Sequence, residues 1–180
     1  GPRALGSRSI IGDPRNKNMQ RVMNLKIKYR ESFRPFGPSV LEEEASNIFE
    51  IDIKSPYMLF VTTLKKKFLL EIDPIINNVS GLEKLKIPKS CFPAITHVDN
   101  SSRIQTVNNK LNPRFYNLIK AFKERTGCSL IINTSFNVRG EPIVCTPQDA
   151  YRCFMRTGID VLILENQILL KNKQPYFKKS

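Results

Sequence analysis

The stretch 133–140 carries the side chains in this chain best suited to chemistry: Asn133, Thr134, Ser135, Phe136, Asn137, Val138, Arg139 and Gly140. They follow an apolar run, 130–132, which predicts a buried strand. Small hydrogen-bonding side chains at the end of a buried strand are a common way to build a ligand site in an α/β protein. Asn133, Ser135 and Asn137 alternate, so a continued strand would set them on one face. Arg139 offers a planar cation suited to phosphate or carboxylate, and Gly140 permits a sharp turn after it. A polar strand-to-loop connection that merely satisfies its own backbone is the plainer alternative.

Cations come from other parts of the chain. In 30–38 arginines alternate with aromatics: Arg30, Phe33, Arg34 and Phe36, with Pro35, Gly37 and Pro38 excluding a helix. An arginine beside an aromatic ring can hold a phosphate or stack on a base. Equally, Phe33 and Phe36 could anchor the core while the arginines face water. In the opening segment Pro2 restrains the backbone and Gly1 and Gly6 relax it, so Arg3 could be held in a defined direction. His97 is the lone histidine. It could be structural or could donate to a phosphate oxygen, and spacing does not decide.

The elements that must position these groups follow from periodicity and breakers. Met19, Val22, Met23 and Leu25 predict a helix over 18–29 that ends near Lys28. Residues 39–41 predict a short strand, then an acidic turn at Glu42, Glu43 and Glu44. Residues 57–62 predict a strand. Residues 64–92 predict a lysine-rich excursion with one irregular helix. Residues 94–107 predict two strands around a turn at Asp99, Asn100 and Ser101. Asn112-Pro113 opens an amphipathic helix with Phe115, Leu118, Ile119 and Phe122 as its apolar stripe, and Gly127 stops it. A strand at 128–133 follows directly, which is an α/β unit. Thr146-Pro147 caps a helix that runs to about Thr157. Residues 160–164 and 167–171 predict a hairpin over Glu165 and Asn166, with a polar tail behind it.

The 180 residues suffice for one domain with a sizeable core. No apolar run approaches a membrane span. The net charge of +13 favours anionic partners, although many lysines fall in runs typical of a solvated surface. The four cysteines, Cys91, Cys128, Cys145 and Cys153, lack CxxC spacing, which argues against zinc and for reduced cytoplasmic thiols. No metal site is expected. Cys128 and Cys145, beside apolar residues, are expected in the core. The initial glycine and the motif-like opening predict a piece of a longer protein.

Several blocks, in order, go beyond generic chemistry: Gly1-Pro2-Arg3-Ala4-Leu5-Gly6 with Arg8-Ser9; Phe33-Arg34-Pro35-Phe36 with Pro38-Ser39-Val40; Thr96-His97-Val98-Asp99; Arg103-Ile104-Gln105-Thr106-Val107; Asn133-Thr134-Ser135-Phe136-Asn137; and Gly140-Glu141-Pro142-Ile143-Val144. Together they resemble the C-terminal domain of the O-carbamoyltransferases, the nodulation-factor and antibiotic-tailoring enzymes, over residues 1–172. The spacer at 64–92 is longer than usual in that family, and Asp99-Asn100-Ser101-Ser102 departs from its usual glycine and alanine. The resemblance implies a YrdC-like α/β fold, a twisted mixed sheet with flanking helices and a basic concave face. It implies a domain that makes carbamoyl adenylate from carbamoyl phosphate and ATP, with Mg2+ accompanying the ATP. The carbamoyl group would then pass to a hydroxyl-bearing acceptor in an N-terminal domain of actin-like ATPase fold, not present in this chain, which alone would hold Fe2+ or a similar metal. By motif, Lys28, Arg34 and Arg103 are the expected catalytic cations. Arg3, His97, Asn133, Ser135, Asn137 and Arg139 join them as substrate- or nucleotide-binding residues. An RNA-binding module of the same fold, without activity of its own, is the alternative.

Overall fold

A computed structural model describes residues 4–71 and 87–175. Arg3, the middle of the lysine-rich excursion and the last five residues lie outside them. The architecture is α/β, as expected, around a mixed four-stranded sheet in the order β1-β6-β2-β5. Here β1 is Ser9–Gly12, β2 Gly37–Leu41, β5 Gln105–Val107 and β6 Leu130–Ser135. β6 runs antiparallel to both neighbours, and β2 runs parallel to β5. Two small antiparallel pairs complete it: β3 (Val61–Thr63) with β4 (Ser101–Arg103), and β7 (Val161–Leu164) with β8 (Gln167–Leu170).

Alternation along β6 divides the interior. Leu130 and Ile132 join the larger cluster with Ile10, Val40, Met23, Ile27 and Phe154. Ile131 turns the other way, to Leu41, Val107, Phe115 and Ile119. The last two belong to α3 (Pro113–Thr126), which covers that face. The ends of α3 follow from its residues. The Asn112 side chain accepts from the Phe115 amide, Pro113 takes a first-turn position, and Gly127 adopts φ +74. α4 (Pro147–Arg156) begins with a reciprocal capping box between Thr146 and Asp149.

Four local expectations are corrected. The helix over 18–29 is α-helical only at Met19–Met23, α1; it widens into a π-turn, Asn24–Lys28, before Tyr29 ends it at φ +49. The strand at 57–62 shrinks to Val61–Thr63. Met58 takes φ +56, a left-handed conformation no strand accommodates, and Tyr57, Leu59 and Phe60 are exposed. Residues 94–107 do not hold two strands around one turn. Pro93–Ile95 is a short 3-10 helix, the turn at 97–100 leads into β4, and β5 follows after Ile104 in a different sheet. Finally, Cys145 is exposed at the mouth of α4, while Cys128 and Cys153 are buried. The acidic run Glu42–Glu44 is a 3-10 turn ahead of the short helix α2 (Ala45–Ile48), where negative charge suits a helix start. Among the described residues no helix is long and apolar enough to cross a membrane.

Candidate functional site

The site is built where the end of α1 meets the end of β6. Gln20, Asn24 and Lys28 follow at intervals of four, which sets a polar stripe on the inward side of a segment whose Arg21 and Lys26 face solvent. Lys28 is 6% exposed, yet its ammonium meets only neutral oxygens. Nζ donates to the carbonyls of Ser135 at 2.9 Å and Asn137 at 2.7 Å, and to Asn137 Oδ1 at 2.8 Å; the Ser135 hydroxyl lies 3.4 Å away. The Ser135 hydroxyl in turn donates to Asn137 Oδ1 at 2.6 Å. Asn137 Nδ2 donates to the Glu141 carbonyl, which fixes the amide's orientation. No carboxylate pairs with Lys28 among the described residues. Burial, with help from the neighbouring Arg30 guanidinium, lowers its pKa to about 8. A buried cation held by dipoles rather than by a counter-charge keeps its full charge for an incoming anion.

The arginines are tied to this cage through one buried asparagine. Asn24 is fully buried. Its Nδ2 donates to the carbonyls of Ser32 at 3.1 Å and Arg34 at 2.8 Å, and its Oδ1 accepts from Arg30 Nε at 2.6 Å. The left-handed turn at Tyr29 lets the Arg30 amide bond back to the Asn24 carbonyl. Arg30 also stacks over the Phe36 ring, 4.6 Å from its centre. Burial and the nearby Arg34 charge lower the pKa of Arg30. Lys28, Arg30 and Arg34 therefore form one electrostatically linked series, with Arg34 on its exposed side.

Asn133 lies one row deeper, whereas Arg103, on β4 of the separate β3–β4 pair, is exposed and approaches that row only through its backbone carbonyl. Asn133 pairs across the sheet with Ile11 on one side and Gly37 on the other. A Cβ on Gly37 would stand 2.9 Å from the Arg103 carbonyl and 2.8 Å from Met58 Sδ, so only glycine admits this close approach. Asn133 does not share the fate of Ser135 and Asn137. It is buried on the α3 face, where Nδ2 donates to Ser39 Oγ at 2.8 Å and Gln105 Oε1 at 2.9 Å. Its Oδ1 is buried with no hydrogen-bond partner. The strand ends at Ser135, and the Asn137 amide folds back to the Ser135 carbonyl. That turn swings Asn137 to Lys28 and breaks the one-face alignment expected of the three.

Of the sequence-predicted residues, then, Lys28, Ser135 and Asn137 meet directly. Arg34 is linked to them by its backbone carbonyl, bonded to Asn24, and by its charge on Arg30, while Arg103 is exposed and brings only its carbonyl to the row, at Gly37. His97 and Arg139 do not join. Both are exposed, and His97 lines a different cleft. Arg3 lies outside the described residues. Asn24, Arg30, Ser39 and Gln105 were not singled out as site residues. The signal for Asn24 is the polar stripe at Gln20, Asn24 and Lys28; Ser39 and Gln105 pair only through the sheet and leave no local trace. No group of three histidine, cysteine or acidic residues that could hold a metal ion gathers among the described residues.

Comparison with known proteins defines the class. The family profile described as "Carbamoyltransferase C-terminus" matches residues 1–171, and the chain belongs to that family. It is 63% identical, over 97% of its length, to an uncharacterised protein of Synechocystis sp., and covers 28% of that protein. It is 42% identical over 91% of its length to the nodulation protein NolO of Bradyrhizobium diazoefficiens, and 31% identical over 91% to a 3'-hydroxymethylcephem-O-carbamoyltransferase of Amycolatopsis lactamdurans. It covers 27% of each of these two. The chain thus spans between a quarter and a third of the length of these relatives.

Proposed function

We propose that this domain binds carbamoyl phosphate and ATP and forms carbamoyl adenylate, which a further part of the protein uses to carbamoylate a hydroxyl group. The observation that carries the proposal is the Lys28 ammonium, buried without a counter-charge and flanked by Arg30 and Arg34. Carbamoyl phosphate and ATP bring several negative charges together. Fixed cations must screen their repulsion before they can react.

The reaction balances in two stages. Water cleaves carbamoyl phosphate to carbamate and phosphate. A carbamate oxygen then attacks the α-phosphorus of ATP, the bond to the β-phosphate oxygen breaks, and pyrophosphate leaves with that electron pair. No protein nucleophile is needed. In this scheme Lys28, whose three N–H groups are taken up by the cage, draws the phosphates by its charge, and Arg34 donates to phosphate oxygens, each charge-assisted bond contributing about 1.5–3 kcal/mol. Arg103, exposed on β4, would reach the phosphates from the solvent side. Asn133 Oδ1, a buried acceptor without a donor, suits the NH2 of the carbamoyl group. Ser135 and Asn137 orient the Lys28 ammonium and supply polar contacts to the adenylate. The cage offers no carboxylate to a magnesium ion, so Mg2+ would arrive on the triphosphate.

The test is carbamoyl-phosphate-dependent exchange of labelled pyrophosphate into ATP, using a full-length protein that carries this domain. Exchange should depend on carbamoyl phosphate and fall by at least a hundredfold in Lys28→Met. Exchange that proceeds without carbamoyl phosphate, or at the normal rate in Lys28→Met, refutes the assignment.

A further inference from the structure

A second cleft, of about 680 Å³, opens between the start of α1 and the 87–98 segment. Its volume is in the range of small-molecule sites. Lys17 and Arg21 line one wall, and Lys89 and His97 the other. Phe33, 44% exposed, and the rings of Pro35 and Pro93 add apolar surface. Among the described residues none of those lining it is acidic, and no carboxylate pairs with Lys17 or Arg21. Asp99, close to His97, is engaged by the Ser101 amide at 3.0 Å.

The walls are braced. Gln20 Nε2 donates to the Phe33 carbonyl at 2.9 Å, Lys89 Nζ to the Val98 carbonyl at 2.8 Å, and the Thr96 hydroxyl to the Phe92 carbonyl at 2.8 Å. Lys89 keeps two further N–H groups after its bond to Val98. A concave surface of one sign focuses its field and concentrates anions of the opposite sign. An aromatic face beside it adds stacking surface for a flat ring. None of Lys28, Arg34, Arg103, Asn133, Ser135 or Asn137 lines this cleft.

We propose that this cleft is a second ligand site on the domain, for a compound of the nucleotide class, with its phosphates against Lys17, Arg21, Lys89 and His97 and its base against Phe33. It is separate from the Lys28 cage and does not depend on the reaction assigned to it.

Calorimetric titration with ATP tests this. The wild-type chain should bind ATP in two events, and Lys28→Met should retain one of them. In a Lys17→Gln/Arg21→Gln double variant of either background, that retained event should weaken at least tenfold. Both residues are exposed, so thermal melting should show the fold unchanged. Inorganic tripolyphosphate should compete, more weakly than ATP, and Phe33→Leu should remove the difference. Three results would overturn the proposal: a single ATP-binding event that disappears in Lys28→Met, a retained event indifferent to Lys17 and Arg21, or displacement by an RNA oligonucleotide where millimolar ATP has no effect. Pyrophosphate exchange is read separately, so its failure would leave this site standing.

Discussion

The lowered pKa of Lys28 makes anion binding at the cage pH-dependent in a way that can be calculated. The ammonium is charged below about pH 8 and progressively neutral above it. Phosphate groups complete their ionisation near about pH 6, so above pH 8 any change in ATP affinity belongs to the protein. Cage affinity should be nearly flat from pH 7 to 8. It should then fall up to tenfold per unit, reaching about a hundredfold, or about 2.7 kcal/mol, near pH 10. The assay is calorimetry in the Lys17→Gln/Arg21→Gln background, which isolates the cage. Below the break, binding releases no proton; above it, binding takes one up, visible as a dependence of the heat on the buffer. Stability of the free protein runs the opposite way. A lysine whose folded pKa lies below its unfolded 10.5 destabilises the fold fully below about pH 8. That cost, about 3 kcal/mol as an upper figure, fades as pH rises to 10.5, because the unfolded chain there binds the extra proton. The difference in stability between wild type and Lys28→Met should narrow or reverse over that window. An affinity profile without a break, or an identical break in Lys28→Met, would refute the electrostatic account of the cage.

Two structural predictions follow from the same neighbourhood. Asn24→Ala removes three hydrogen bonds, one of them to a guanidinium, and strands the Ser32 and Arg34 carbonyls. It should cost about 3 kcal/mol, a drop in Tm of about 6–12 °C, and should weaken ATP binding because Arg34 loses its anchor; unchanged melting and binding would remove Asn24 from the argument. Gly37→Ala should cost about 1–3 kcal/mol in denaturant unfolding. Adding Met58→Ala should recover only part of it, since the Arg103 carbonyl remains in the way; full recovery would show that the backbone contact does not matter.

The sequence was most legible where structure is decided locally. Asn112-Pro113 and Gly127 delimit α3, Thr146-Pro147 opens α4, and Glu165-Asn166 turns the last hairpin, because caps and turns depend on residues a few positions apart. The π-turn at Asn24–Lys28 was not legible. Its reward is the set of bonds Asn24 makes to 30–34, and periodicity carries no sign of them. Residues 57–60 have the composition of a strand, yet Met58 is drawn onto Gly37 and bends the chain away. At the site, type and spacing pointed to Ser135 and Asn137 but treated Asn133 as their equal. Only the turn after Ser135 separates them, and only the sheet register brings Ser39 and Gln105 to Asn133.

β2 and β5 lie side by side and point the same way. The chain leaving Leu41 must therefore travel back to its starting end before Gln105 can enter the sheet. That return runs from Glu42 to Ile104, and among the described residues it meets the row that holds Gly37 and Asn133 at Met58 and again at Arg103. Changes of length that keep Met58 and the Arg103 carbonyl against Gly37 would leave strand alignment and the lysine's oxygen nest as they are, so this crossover is where the domain can be tailored to new neighbours without retuning its chemistry.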